Sequence, residues 1–79
     1  MNRQTLGELL DQENVDSSAY DLEGRAIDDR YVLERSNNTW TVFFSERGLR
    51  TGEQRFDSED AACRHLFALV LRDSTTRRR

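Results

Sequence analysis

Residues 31–48 read YVLERSNNTWTVFFSERG, and this stretch decides the fold. Tyr31 to Arg35 and Thr39 to Ser45 are rich in β-branched and aromatic residues, which suit a pleated, half-buried surface. Between them stands Asn37-Asn38. Asparagine tolerates positive φ, so the pair predicts a two-residue type I′ hairpin turn with both residues left-handed. That turn sets the register. It places Tyr31 opposite Phe44, Leu33 opposite Val42 and Arg35 opposite Trp40, all on one face. Val32, Glu34, Thr41 and Phe43 share the other. The first face is the more aromatic and is taken as core. Glu46-Arg47-Gly48 marks a second turn, with Gly48 supplying positive φ. Arg50 to Phe56 reads as a third, polar strand, weakened by Gly52 and suited to a sheet edge.

Helical patterns flank the strands. Thr5 is followed three residues later by Glu8, a capping-box pattern, and Leu6, Leu9 and Leu10 recur at helical spacing. A first helix is expected from about Thr5 to Glu13. Asn14 to Ser18 is turn-like, and Tyr20 to Gly24 fits either a short strand or an ordered loop. Arg25 to Asp29 reads as a loop. Ser58 is a good N-cap, and Glu59 and Asp60 favour a helix start through the dipole. Ala62, Leu66, Leu69 and Val70 form an inner stripe, with Cys63 and Phe67 beside it, over a helix from Glu59 to Arg72. The expected fold class is α+β, in the order α-β-β-β-α: a three-stranded antiparallel meander with two helices packed on one face. Residues 1–73 form a single small domain in this reading, and 74–79, ending in Arg77-Arg78-Arg79, form a disordered basic tail.

Composition narrows the function. The 79 residues are 35% apolar and 34% charged. No stretch approaches the ~20 apolar residues of a membrane span, and the N-terminus lacks a secretory apolar region. A cytoplasmic location is the default expectation. One cysteine makes no intramolecular disulfide. All twelve basic residues are arginine, which excludes a lysine Schiff base and a lysine phosphate loop; GC-rich coding is the ordinary explanation. Residues 1–29 hold eight acids against Arg3 and Arg25, a net of −6, whereas residues 30–79 hold seven acids and ten arginines, a net of +3. An acidic first third suits a basic partner, although ordinary solvated acids would give the same count.

Catalysis needs a nucleophile, a base and an orienting group within reach of one another. Cys63 and His65 are two apart on a helix and point to different sides. Cys63 reads as a small buried hydrophobe and His65 as a rim residue. Zinc wants about four N or S donors at structured spacing, and calcium an aspartate-rich loop; the chain has neither. No glycine-rich phosphate loop is present. The expectation is a non-enzyme with no cofactor, no metal and no small-molecule substrate. Nucleic acid is the competing partner, because α-β-β-β-α is also the order of the double-stranded RNA-binding domain. That domain needs a basic cluster at the start of its last helix, where Ser58-Glu59-Asp60 would repel phosphate. Protein recognition remains. Phe43, between polar neighbours, is expected to project from an open sheet face as an interface anchor, unless it is core and the Trp40 side faces outward.

The runs Tyr20-Asp21-Leu22-Glu23-Gly24, Tyr31-Val32-Leu33-Glu34 and Trp40 through Gly48, then Phe56 and Glu59 through Ala62-Cys63 to Leu66, cover most of the chain. Their overall pattern resembles the small immunity proteins encoded beside bacterial polymorphic toxins, including toxins carried as C-terminal domains of large Rhs-type proteins. The resemblance implies a stoichiometric inhibitor that binds one cognate toxin in the cytoplasm and occludes its active site. Such toxins include ADP-ribosyltransferases, NAD-degrading enzymes and nucleases, with an ADP-ribosyltransferase taken first. In that reading Asp16, Asp21, Glu23, Asp28 and Asp29 face basic groups of the toxin, and Phe43 anchors the contact. A double-stranded RNA-binding-like module is the alternative, and a structural adaptor a third.

Overall fold

Local hydrogen-bonding chemistry sets where each element starts. In a computed structural model, which describes residues 1–78, the chain runs α1 (Arg3–Gln12), β1 (Tyr20–Asp21), β2 (Arg30–Ser36), β3 (Thr39–Glu46), β4 (Leu49–Phe56) and α2 (Glu59–Arg72). Short 3₁₀ turns lie at Ser17–Ala19 and Ser74–Thr76. Ser58 caps α2 as expected, its hydroxyl accepting from the Ala61 N–H at 3.1 Å. The cap of α1 is Asn2 rather than Thr5: its Oδ1 accepts from the Thr5 N–H at 2.8 Å, so the helix opens two residues earlier.

The strands form a four-stranded mixed sheet in the order β1-β2-β3-β4. The expected antiparallel meander is β2-β3-β4. Tyr31 faces Phe44, Leu33 faces Val42 and Arg35 faces Trp40, as the turn length predicts. The expected three strands become four, because Tyr20 and Asp21 pair in parallel with Tyr31 and Val32. The Asn37-Asn38 turn also differs in detail. Asn37 has φ 56° and Asn38 is not left-handed, which is the backbone pattern of type II′ rather than type I′. The next turn carries positive φ at both Arg47 (51°) and Gly48 (78°), and it is here that the type I′ pattern occurs.

β4 contains a bulge. Val42 pairs with Gln54 but Phe44 pairs with Thr51, so Gly52 and Glu53 together oppose Phe43. Gly52 has φ 65°, a conformation that a Cβ disfavours, and the bulge re-aims the first half of the strand. After it, Gln54 and Phe56 return to the face that Val42 and Trp40 share.

Both helices cover one sheet face. Leu6 and Leu10 of α1, and Ala62, Cys63, Leu66 and Val70 of α2, pack with Leu33, Trp40 and Val42 in one buried cluster. The opposite face is covered as well, by the chain between β1 and β2. Residues 22–29 cross it as a strap. The Ser45 hydroxyl donates to the Ala26 carbonyl at 3.1 Å, and the Asp29 N–H donates to the Ser45 carbonyl at 2.6 Å. From the β4 side the Arg50 guanidinium lies 4.3 Å from the Phe43 ring centroid, held there by Glu34 (2.7 Å) and Glu53 (3.0 Å). Phe43 is therefore 0% exposed, as is Val32. The expectation of Phe43 as an exposed anchor is corrected: two layers form, and Phe43 is the centre of the smaller one.

Asp21 fixes the start of the strap. Its carboxylate, 1% exposed as a residue, accepts from the N–H groups of Glu23 (2.8 Å) and Arg25 (3.0 Å) and from Arg25 Nε (3.2 Å). The C-terminal segment, expected to be a disordered tail, is packed through residue 78. Thr76 is buried, its hydroxyl donating to the Val70 carbonyl at 2.9 Å. Val15 and Arg77 form an antiparallel bridge, and the N–H groups of Asp16 and Arg78 donate to the carbonyls of Thr76 (2.7 Å) and Asn14 (2.8 Å). Backbone pairing with the α1–β1 turn thus orders a stretch whose composition alone reads as tail. Arg79 lies outside the described residues. Among the described residues, no helix is long and apolar enough to cross a membrane.

Candidate functional site

The helix layer does not close over the whole sheet. The inner stripe of α2 is directed at α1, β2 and β3, so its other flank, His65 and Leu69, faces β4. On that side β4 offers Thr51, Gly52 and Gln54, which are small or polar. No large side chain fills the space between helix and strand. A concavity of about 350 Å³ results, lined by these five residues together with Tyr31 and Phe44. A second concavity, of about 500 Å³, opens beyond Tyr31 and Phe44 towards Asp16, Ser18, Asp29, Asp73, Thr75 and Arg77. The two share Tyr31 and Phe44, whose rings meet edge-on at 4.9 Å. They adjoin at this pair and are taken together as a groove, with an apolar half and a half that carries Asp16, Asp29 and Asp73 with Arg77.

The register explains the aromatic pair. Tyr31 and Phe44 are direct cross-strand partners on the helix side, one layer beyond Leu33 and Val42, where α2 nears its end. Each is half-buried. The Tyr31 hydroxyl donates to Asp73 Oδ2 at 3.0 Å. Burial, then that bond, holds the Tyr31 phenol above its ordinary pKa. The Asp73 carboxyl lies below its ordinary value, because the Thr75 hydroxyl and N–H donate to it at 2.6 and 3.0 Å. Asp16 is likewise depressed, mainly by the Ser18 N–H (2.9 Å) and then by its hydroxyl (2.8 Å). Asp16 and Asp73 are therefore anionic near neutral pH. Asp16 Oδ2 and the whole Asp29 carboxylate make no hydrogen bond among the described residues, and both side chains are exposed. Arg77 is the cation of the rim; its guanidinium points to the Leu71 carbonyl (3.4 Å) and the Thr76 hydroxyl (3.3 Å).

Of the six residues singled out from sequence, Asp16 and Asp29 line this groove. Asp21 and Phe43 are buried elsewhere and hold the strap and the second layer. Glu23 is exposed beside Arg3, 3.4 Å from its guanidinium, and Asp28 is exposed and accepts from the Gly48 N–H at 3.3 Å. Sequence reasoning missed Tyr31, Phe44, Leu69 and Asp73 as surface groups. The available signal was the low bulk of Thr51-Gly52 opposite an aromatic cross-strand pair.

Cys63 is fully buried, and burial, then Glu59, pushes its thiol up to about 11, so it carries no thiolate. The His65 ring lies on the groove wall with its centroid 5.1 Å from that of Phe56, tilted by 45°. Among the described residues, no group of three His, Cys, Asp or Glu side chains is placed to hold a metal ion. Comparison with known proteins finds no matching family model, no similar curated protein and no similar solved structure.

Proposed function

We propose that this protein is a stoichiometric protein inhibitor of the immunity class. It binds a cognate antibacterial toxin through the α2–β4 groove and covers the toxin's active site by steric occlusion. The observation that carries this reading is the groove itself: a half-exposed aromatic pair at the junction of an apolar and an acidic concavity. Exposed aromatics in a depression rimmed by polar groups are the usual anchors of protein interfaces. The acidic first third supports it further, because negative charge steers association with a basic surface such as the mouth of a site for NAD or another anionic substrate. An ADP-ribosyltransferase is the toxin class we place first, and the cytoplasm is the compartment this role requires. Glu59 and Asp60 occupy the helix start at which a double-stranded RNA-binding domain needs cations, which favours a protein partner over RNA.

Co-expression with the product of the neighbouring gene tests the proposal. That product alone is expected to arrest growth, and this protein to restore it and to co-purify with it at one to one. A harmless neighbour, or a toxic one that this protein neither binds nor neutralises, would overturn the reading.

A further inference from the structure

The two halves of the groove differ in what they can hold, and that difference specifies the partner segment. The apolar half presents Phe44, Leu69 and His65 around Gly52, where a β-carbon would meet nothing within 4 Å. The gap left by that glycine is open to a side chain from outside. The acidic half presents Asp16 and Asp29; Arg78 and Arg30 lie near enough to act on the Asp16 charge, but the arginines around this half make their hydrogen bonds elsewhere. Arg77 points to backbone and hydroxyl oxygens, Arg78 pairs with Asp11, and Arg30 Nη1 is 3.5 Å from the Tyr20 carbonyl. Tyr31 and Phe44 lie between the halves and offer ring surface to both.

We propose that the groove takes an extended segment of the partner in which an arginine stands next to, or one residue from, an aliphatic side chain. The aliphatic group enters beside Leu69 and Gly52, and the guanidinium lies along the Tyr31–Phe44 pair with its N–H groups towards Asp16 and Asp29. Arginine fits better than lysine because its planar group can stack on a ring and donate to carboxylates at the same time. This inference rests on the protein-binding reading above and names the chemistry of that same site.

The test uses the whole protein, ¹⁵N-labelled, titrated with a capped leucyl-glycyl-arginine amide and with the same peptide carrying citrulline in place of arginine. Citrulline keeps the shape and removes the charge. The arginine peptide is expected to shift the amides of Ser18, Asp29, Tyr31, Phe44, Thr51 and Leu69. The citrulline peptide should bind about fivefold more weakly, the scale of one half-exposed ion pair. A variant carrying Asp16→Asn and Asp29→Asn should bind both peptides alike. Asparagine can still cap at position 16 and tolerates the positive φ of residue 29, so this variant keeps its fold. Equal binding of the two peptides to the unaltered protein, shifts confined to another surface, or no shifts at about 10 mM peptide would each overturn the inference. Its failure is distinguishable from that of the inhibitor reading. A neighbouring toxin bound and neutralised without arginine selectivity in the groove removes only this inference, whereas arginine-selective binding beside a harmless neighbour removes only the other.

Discussion

Phe43 is fully buried beneath the 22–29 strap with the Arg50 guanidinium against its ring. Its alternation with Thr41 and Ser45 gives no hint of that, because both are buried there too, one hydroxyl serving the strap. Removing the ring leaves a cavity that the sheet backbone prevents from collapsing. Phe43→Ala should cost about 3–5 kcal/mol in stability, read from urea unfolding; a loss under about 1 kcal/mol would show that the strap is not closed over it. His65 carries a pH dependence. Burial, then Arg72, lowers its pKa, so the folded state holds neutral histidine more firmly than the unfolded chain does. The unfolded state therefore binds more protons just below the ordinary histidine pKa. Stability from this residue is fully present above about pH 6.5 and is lost as pH falls through the lower folded value. The urea midpoint should drop as pH falls below about 6.5, and His65→Gln should flatten that drop. Asp21 acts in a separate window. Burial pushes its pKa up, but the N–H of Glu23 and then the Arg25 side chain and N–H outweigh burial, and the net value is depressed. Its contribution is present above about pH 3.9 and is lost only below that.

At the scale of elements, local signals were legible and non-local ones were not. The β2–β3 register follows from a two-residue turn and period-two alternation, both encoded within residues 31–45, and it is matched pair by pair. The turn type is not legible in Asn37-Asn38, because the pair suits either primed type; only Asn37 is left-handed. Asn37→Val should therefore destabilise by about 1 kcal/mol or more, since a β-branched residue resists positive φ, and Asn38→Val by clearly less. Equal losses in thermal unfolding would restore the type I′ assignment. β1 was undecidable from sequence for a physical reason. Two residues carry no periodicity, and their partner strand begins only after an eight-residue crossing, shorter than parallel connections usually need. The Val15–Arg77 bridge is more remote still, and nothing in Asp73 to Arg78 marks it. Charge marks Asp16 and Asp29 in the sequence. Nothing local marks Tyr31, Phe44 and Leu69, because their exposure depends on how α2 sits over β4.

The whole molecule joins an acidic first third to a groove that its own helices leave open. α2 commits one flank to the core with Ala62, Cys63, Leu66 and Val70, and presents the other, with His65 and Leu69, beside a strand of small and polar residues. The five acids singled out in the first third divide by position: Asp21 builds the fold, Asp16 and Asp29 rim the groove, and Glu23 and Asp28 are exposed at the surface. The central claim is that this groove is the binding surface. Leu69→Glu places a charge on its apolar wall, and Ala68→Glu places the same charge one residue away, at an exposed position of the same helix. The decisive measurement is the dissociation constant for the neighbouring gene product with each variant, after matched urea unfolding confirms that both are folded. Leu69→Glu should weaken the complex about 100-fold, the scale of losing a central anchor, and Ala68→Glu by less than about twofold. A folded Leu69→Glu protein that binds as tightly as the unaltered one would contradict the account.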